Sequence, residues 1–183
     1  MSRIVSGPPS AQGRTPAYPH RRPTPNPEEP GQYWRDALGE SLDGRDDVPW
    51  SAGFISWIMR TAGAGSRFRY AAAHSQYISK AISDRLDANG ASYIWGNRLG
   101  EHRPEPGDLV GRAREPGIDY DHQQGGHYYI HGDIVVEVRS GEIDVIGGNV
   151  RDSVTRRTLR LDPNGFLTDN GDRYFVVIEN KLS

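Results

Sequence analysis

The chain has 183 residues, with 22 basic and 24 acidic side chains and a net charge of −2, so no overall field attracts nucleic acid or an anionic membrane. It contains no cysteine, which excludes disulfide scaffolds, thiolate metal sites and thiol nucleophiles. No apolar run approaches the roughly 18 residues of a membrane span, and residues 1–10 lack the apolar stretch of a secretory signal. If the protein acts outside the cytoplasm, we expect another route to carry it there.

Eight of the 13 prolines precede residue 31, and almost no aliphatic side chain lies among them. Such a segment cannot bury enough apolar surface to offset its ordering entropy. We predict a proline-rich tail or linker over residues 1–31 and one folded domain over residues 32–183. Two alternatives remain for the tail: a segment without functional consequence, or a docking segment.

Helical patterns dominate the first half of the domain. Apolar residues at helical spacing predict a short helix over residues 32–44. A second helix, capped by Asp46 or Asp47 and ended by Gly63, is apolar over most of its surface and is predicted to be buried. A third is predicted over residues 71–89.

Short β-type segments separated by turn formers follow the helices. This order predicts an α+β fold in which N-terminal helices pack on an antiparallel β-sheet. The predicted strands are Asp108–Gly111, Tyr128–Val138, Glu142–Ile146, Thr158–Leu161 and Arg173–Glu179.

Ser51 lies in the first turn of the predicted buried helix. The unpaired amides and positive end of a helix N-terminus stabilise a developing oxyanion, so a hydroxyl there is a candidate nucleophile if a base lies near. The alternative is that Ser51 only caps the helix, which is the commoner role of serine at this place.

Three further residues are candidates to assist Ser51. Strand alternation places His131 and Asp133 on the same face, where His131 could act as a base. A hairpin through Ser140-Gly141 brings Asn149 beside the His131 strand, where its side chain could orient the imidazole. The alternatives are an edge-strand histidine without a role and a turn asparagine that tolerates unusual backbone angles.

A metal site is a further alternative, because His122, His127 and His131 lie close in sequence to several aspartates. On a continuous strand His127 and His131 would be about 13 Å apart, at roughly 3.3 Å per residue. Both could bind one ion only if the strand bent. We therefore expect no metal and no cofactor.

The segment PWSAGFISW resembles the PWCAAFVNW-type segment of the NlpC-type and CHAP peptidoglycan amidases and endopeptidases, which share a papain-like fold. In that superfamily a cysteine at the start of the central helix is the nucleophile, a Pro-Gly-Asp-Leu-Val segment opens the sheet, a strand led by histidine supplies the base, and a polar residue one strand later orients it. The matching positions here are Ser51, Pro106–Val110, His131 and Asn149. The resemblance covers about residues 34–179.

The chain also resembles an uncharacterised bacterial family within that group, which carries WSA where its relatives carry WCA and retains VIGGNV. The resemblance implies a hydrolase of amide or peptide bonds in peptidoglycan, with Ser51 as nucleophile, His131 as base and Asn149 as orienting residue. It also implies delivery as a toxin, lysin or tail-associated module, for which the N-terminal region could contact a tethering or immunity partner. Ester or acyl-chain cleavage, and wall binding without cleavage, are the alternatives.

Four residues are expected to contribute to substrate binding or to line the cleft. For His74 and Tyr77, which lie one helical turn apart, the alternative is that they pack beneath the cleft. The four are Trp50, His74, Tyr77 and Asp133.

Overall fold

The first helix, α1, spans Glu28–Leu38 and buries Tyr33 and Trp34. The structure is a computed structural model that describes residues 28–123, 127–169 and 171–182. The predicted tail lies outside these residues except for residues 28–31, which form the first turn of α1. The predicted first helix is confirmed, but it begins and ends earlier than expected.

Helix α2 spans Ser51–Thr61, and its first six residues are all buried. Trp50 occupies the N-cap position and makes no side-chain capping hydrogen bond. The predicted aspartate cap is wrong, because Trp50 holds the N-cap position. The Asp46 carboxylate instead accepts a hydrogen bond from the backbone amide of Asp43 in the preceding turn, at 2.7 Å. The first amides of α2 therefore have no side-chain cap.

Helix α3 spans His74–Leu86 and follows a short 3₁₀ turn at Gly65–Arg67. The prediction of a helix over residues 71–89 is confirmed with shorter ends. Buried residues of α3 such as Ile78 and Ile82 belong to the main apolar core, and the helix packs against β1 and β3 of the sheet described next.

The six strands form one open antiparallel sheet in the order β1-β6-β2-β3-β4-β5. The five predicted strands correspond to β2–β6, and α2 packs against β3 and β4. The strands are β1 Ile94–Asn97, β2 Leu109–Ala113, β3 Ile130–Arg139, β4 Glu142–Val150, β5 Ser153–Arg160 and β6 Tyr174–Asn180.

Strand β1 was missed because it has four residues with a glycine inside, which weakens the strand pattern. The structure explains that glycine. A Cβ on Gly96 would lie 2.6 Å from Cγ1 of Ile82, so its absence lets α3 approach the sheet edge closely.

The architecture is α+β, with the three described α-helices preceding the sheet in sequence and the main core formed where they pack on it. A second apolar cluster includes Val110, Val135 and Val177. Within the described residues, no helix combines the length and apolar character needed to cross a membrane.

Candidate active site

Ser51 is the first residue of α2, and its side chain is turned toward α3 rather than toward its own helix. Its Oγ lies 2.7 Å from Nε2 of His74, and the residue is only 4% exposed. Because Trp50 is the N-cap residue and the Ser51 hydroxyl bonds with an imidazole, the capping role does not describe this serine. Helix geometry leaves the amides at the start of α2 without intrahelical acceptors, beside that hydroxyl.

His74 is the first residue of α3 and is buried. Its Nδ1 forms a hydrogen bond with the hydroxyl of Tyr77, one helical turn later and fully buried. Burial, with smaller contributions from the charges of His131 and Arg114, holds the pKa of His74 well below its usual value. When neutral His74 donates its Nδ1 proton to Tyr77, Nε2 is left as the acceptor for the Ser51 hydroxyl.

A second histidine lies on β3. His131 is 1% exposed, and its Nε2 lies 3.0 Å from Oδ1 of Asp133, which is fully buried. Oδ2 of Asp133 accepts hydrogen bonds from Arg157 on β5 at 2.6 Å and from the Tyr174 hydroxyl on β6 at 3.2 Å.

These contacts decide the charge of Asp133. Burial alone would raise its pKa, but the hydrogen bond from His131, together with the charge and hydrogen bond of Arg157, outweighs burial and lowers the pKa to about 2. Burial lowers the pKa of His131 despite the adjacent carboxylate. Asp133 is therefore an anion at neutral pH, and it accepts a hydrogen bond from the Nε2–H group of a neutral His131.

The hydrogen bonds differ from those predicted for Ser51, His131 and Asn149. Ser51 bonds with His74, while Nδ1 of His131 is buried and has no hydrogen-bond partner in the part of the chain that the structure describes. Asp133 bonds to Nε2 of His131, which is the orienting position predicted for Asn149. Asn149 itself adopts a left-handed backbone conformation, with φ of 59°.

Two glycines make room for this arrangement. A Cβ on Gly132 would lie 2.8 Å from both His74 Nδ1 and the Tyr77 hydroxyl oxygen. A Cβ on Gly147 would lie 1.9 Å from Oδ1 of Asp133. The close approach of α3 to β3 therefore requires glycine at position 132. The hydrogen-bonded pair of His131 and Asp133 requires glycine at position 147 on the neighbouring strand.

Ser51 and His74 line a cavity of about 520 Å³. Tyr77 lies outside the lining, as does Trp50, which is buried in the core with its ring centroid 5.8 Å from that of Tyr33. Lining the cleft and packing beneath it were the two interpretations for His74 and Tyr77: His74 lines the cavity, and Tyr77 packs behind it. The remaining lining residues are Val48, Pro49, Ala52, Ala72, Ala73, Arg114, His127, Tyr128, Tyr129 and Ile130.

The histidines of the predicted metal patch are separated. His122 pairs with Asp119 in an exposed turn, His127 lines the cavity, and His131 is buried beside Asp133. Among the described residues, no group of three histidine or acidic side chains could hold a metal ion.

Sequence reasoning missed the hydrogen bond between His74 and Ser51 and the roles of Arg157 and Tyr174. The i, i+3 spacing of His74 and Tyr77 at a predicted helix start indicates that these two side chains share a face of the helix. This spacing was the signal in the sequence for the hydrogen bond between them, but it does not connect His74 with Ser51. No local pattern connects Arg157 or Tyr174 with a carboxylate on β3.

One family profile, described as an uncharacterised protein conserved in bacteria (DUF2272), matches residues 22–178. No curated protein and no solved structure matches the chain.

Proposed function

We propose that this chain, which belongs to the DUF2272 family of uncharacterised proteins conserved in bacteria, is a serine hydrolase that works by acyl transfer. Ser51 is the nucleophile and His74 is the general base. The observation that carries the proposal is the 2.7 Å hydrogen bond between Ser51 Oγ and His74 Nε2 at the start of an uncapped buried helix. The adjoining cavity gives a substrate access to both side chains.

The reaction begins when His74 Nε2 takes the Ser51 proton and Oγ attacks a carbonyl carbon. The amides at the start of α2 stabilise the oxyanion that forms. His74 then gives the proton to the leaving amine or alcohol as its bond to the carbonyl carbon breaks. In the second half, His74 removes a proton from water as the water oxygen attacks the acyl-enzyme. His74 then returns that proton to Ser51 Oγ as the acyl–oxygen bond breaks, which releases a carboxylic acid and restores Ser51.

The buried charges determine how well His74 can accept a proton. Asp133 is the anion whose charge raises the pKa of His74, and it therefore stabilises the imidazolium that forms during the reaction. Tyr77 cannot supply that charge, since burial raises the pKa of its hydroxyl and keeps it neutral. Its contribution is to hold the Nδ1 side of the ring.

The substrate class rests on the resemblance to the NlpC-type and CHAP enzymes. A nucleophile at the start of a buried helix, followed by an antiparallel sheet with a histidine on an inner strand, is consistent with a papain-like fold. This favours a peptide or amide bond of bacterial peptidoglycan. The same serine and histidine could cleave an ester, which is the alternative for this mechanism.

Purified protein incubated with peptidoglycan sacculi, and separately with p-nitrophenyl pentanoate, tests the proposal. We expect release of soluble fragments or of nitrophenol, and a loss of at least about 100-fold in Ser51→Ala and His74→Gln. Ser75→Ala is the matched control, because Ser75 is a buried serine next to His74 whose hydroxyl has no hydrogen-bond partner among the described residues.

Equal activity in the wild type and Ser51→Ala would remove Ser51 from catalysis. Sedimentation of the protein with sacculi, without any released product, would instead support a wall-binding module. Activity on the ester alone would support the esterase alternative.

A further inference from the structure

The cavity beside Ser51 has an arginine in its lining at the solvent side. Arg114 and His127, both exposed, line it, whereas Ser51 and His74 are buried. No aspartate or glutamate is among its described lining residues. Apart from the serine, the histidines and the arginine, the lining consists of apolar and tyrosine side chains, so the arginine is its one permanently charged group.

Arg114 also lines a neighbouring cavity of about 270 Å³, together with Arg112 and Arg173. Asp172 is the acidic residue of that lining, and its carboxylate lies 3.4 Å from Arg157. Nε of Arg112 is buried and has no hydrogen-bond partner within the described ranges. Arg114 therefore borders both cavities.

The charge of Arg114 affects the pKa values of the two buried histidines. It contributes to the lowered pKa of both His74 and His131, although burial contributes more in each case. An anion bound by Arg114 would offset that effect and would occupy the cavity that Ser51 also lines.

Resting on the proposed function, we infer that the substrate carries a free carboxylate near the scissile bond and that Arg114 binds it. A planar guanidinium matches a carboxylate with two parallel hydrogen bonds. Because the rest of the lining is largely apolar, a carboxylate there has a single fixed cationic partner, whereas a substrate with a cation at this position would meet like charge. Arg114 is thus a specificity-determining residue for an anionic substrate.

Two esters of equal chain length test this inference: p-nitrophenyl pentanoate, which is neutral, and mono-p-nitrophenyl glutarate, which carries a carboxylate. We expect kcat/KM to be at least about tenfold higher for the glutarate ester, as for one charge-assisted hydrogen-bonded pair. In Arg114→Gln that ratio should fall to about one. Arg69→Gln, which removes an exposed arginine outside the cavity, should keep the wild-type ratio.

Binding of glutaramate and of neutral pentanamide, measured by calorimetry, separates the inference from the proposed function. Hydrolysis of the neutral ester without any preference for the carboxylate, in turnover or in binding, would overturn the inference and leave the function standing. Glutaramate binding that is lost in Arg114→Gln, in a protein that cleaves neither ester, would support the carboxylate site and overturn the function. A protein that neither cleaves the esters nor prefers glutaramate would overturn both.

Discussion

The imidazole rings of His74 and His131 pack edge to face, with centroids 5.5 Å apart and planes inclined by 62°. Each belongs to a separate hydrogen-bonded chain: Ser51 and Tyr77 flank His74, and Asp133 holds His131. The two chains therefore meet at this ring contact, where both rings are buried and neutral. Burial opposes protonation of both rings, and a charge on His131 further opposes protonation of His74.

Stability should fall as the pH drops from 7.5 to 5.0. His74 and His131 have lowered pKa values when folded, whereas in the unfolded chain they bind protons from about pH 6.5 downward. Below that pH the unfolded state holds more protons than the folded state, so the free energy of unfolding decreases with falling pH. Urea unfolding at a series of pH values measures the slope.

His102 and His122 act in the opposite direction, because Asp108 and Asp119 raise their pKa values. Each favours the folded state below pH 6.5, and that contribution is lost as the pH rises through the folded pKa. The variant carrying both His102→Gln and His122→Gln should therefore lose stability more steeply on acidification. A flat or rising profile in that variant would contradict the assignment of two buried neutral histidines.

Activity should persist into mildly acidic solution. His74 must be neutral to accept the Ser51 proton, and its lowered pKa keeps it neutral below pH 6.5. A histidine base with the ordinary pKa of about 6.5 would lose about 90% of its activity at pH 5.5, whereas we expect much less than that here. The profile of kcat/KM against pH, measured with p-nitrophenyl pentanoate, gives the acid limb.

The same profile tests the coupling between the two histidines. His131→Gln removes one contribution that lowers the pKa of His74 and leaves the charge of Asp133, which raises it. The acid limb should therefore move to higher pH in this variant. A limb centred near pH 6.5 in the wild type, or no movement in His131→Gln, would show that another group limits the reaction.

Gly147→Ala should destabilise the protein strongly. The new Cβ would lie 1.9 Å from Oδ1 of Asp133 and 2.9 Å from Nε2 of His131, so the buried pair must move. Displacing the Asp133 carboxylate would also break its ionic pair with Arg157, and breaking a buried ionic pair costs about 3–5 kcal/mol, which sets the scale of the expected loss in urea unfolding. Gly90→Ala is the control, because nothing lies within 4 Å of a Cβ there; an equal effect of the two variants would refute the steric explanation.

Two buried serines should respond differently to replacement by alanine. Ser56 donates to the Ala71 carbonyl at 3.1 Å and accepts the Ala71 amide at 3.2 Å, so Ser56→Ala should cost about 1–3 kcal/mol. The Ser75 hydroxyl has no hydrogen-bond partner in the described segments, so Ser75→Ala should be neutral or stabilising by about 1 kcal/mol. Chemical unfolding of both variants measures the contrast, and equal losses would contradict it.

The order of elements follows from local patterns in the amino-acid sequence. Apolar periodicity and turn residues located α1, α2, α3 and five of the six strands, and they placed Ser51 at a helix start. The strand period also placed His131 and Asp133 on one face, where they form their 3.0 Å hydrogen bond. Such patterns can be predicted from the sequence because the period of a helix or strand sets the face on which each side chain lies.

Which side chains meet was decided by tertiary packing. Ser51 and His74 are 23 residues apart on separate helices, and their contact depends on how closely α3 approaches β3 across Gly132. Asp133 could bond with His131 because Gly147 on the next strand has no side chain, and its charge depends on Arg157 from β5. These distances come from packing between elements far apart in the chain. Local patterns therefore predicted a serine at a helix start and a histidine on a strand, but only the packing of α2, α3 and β3 against one another selected the histidine that the serine contacts.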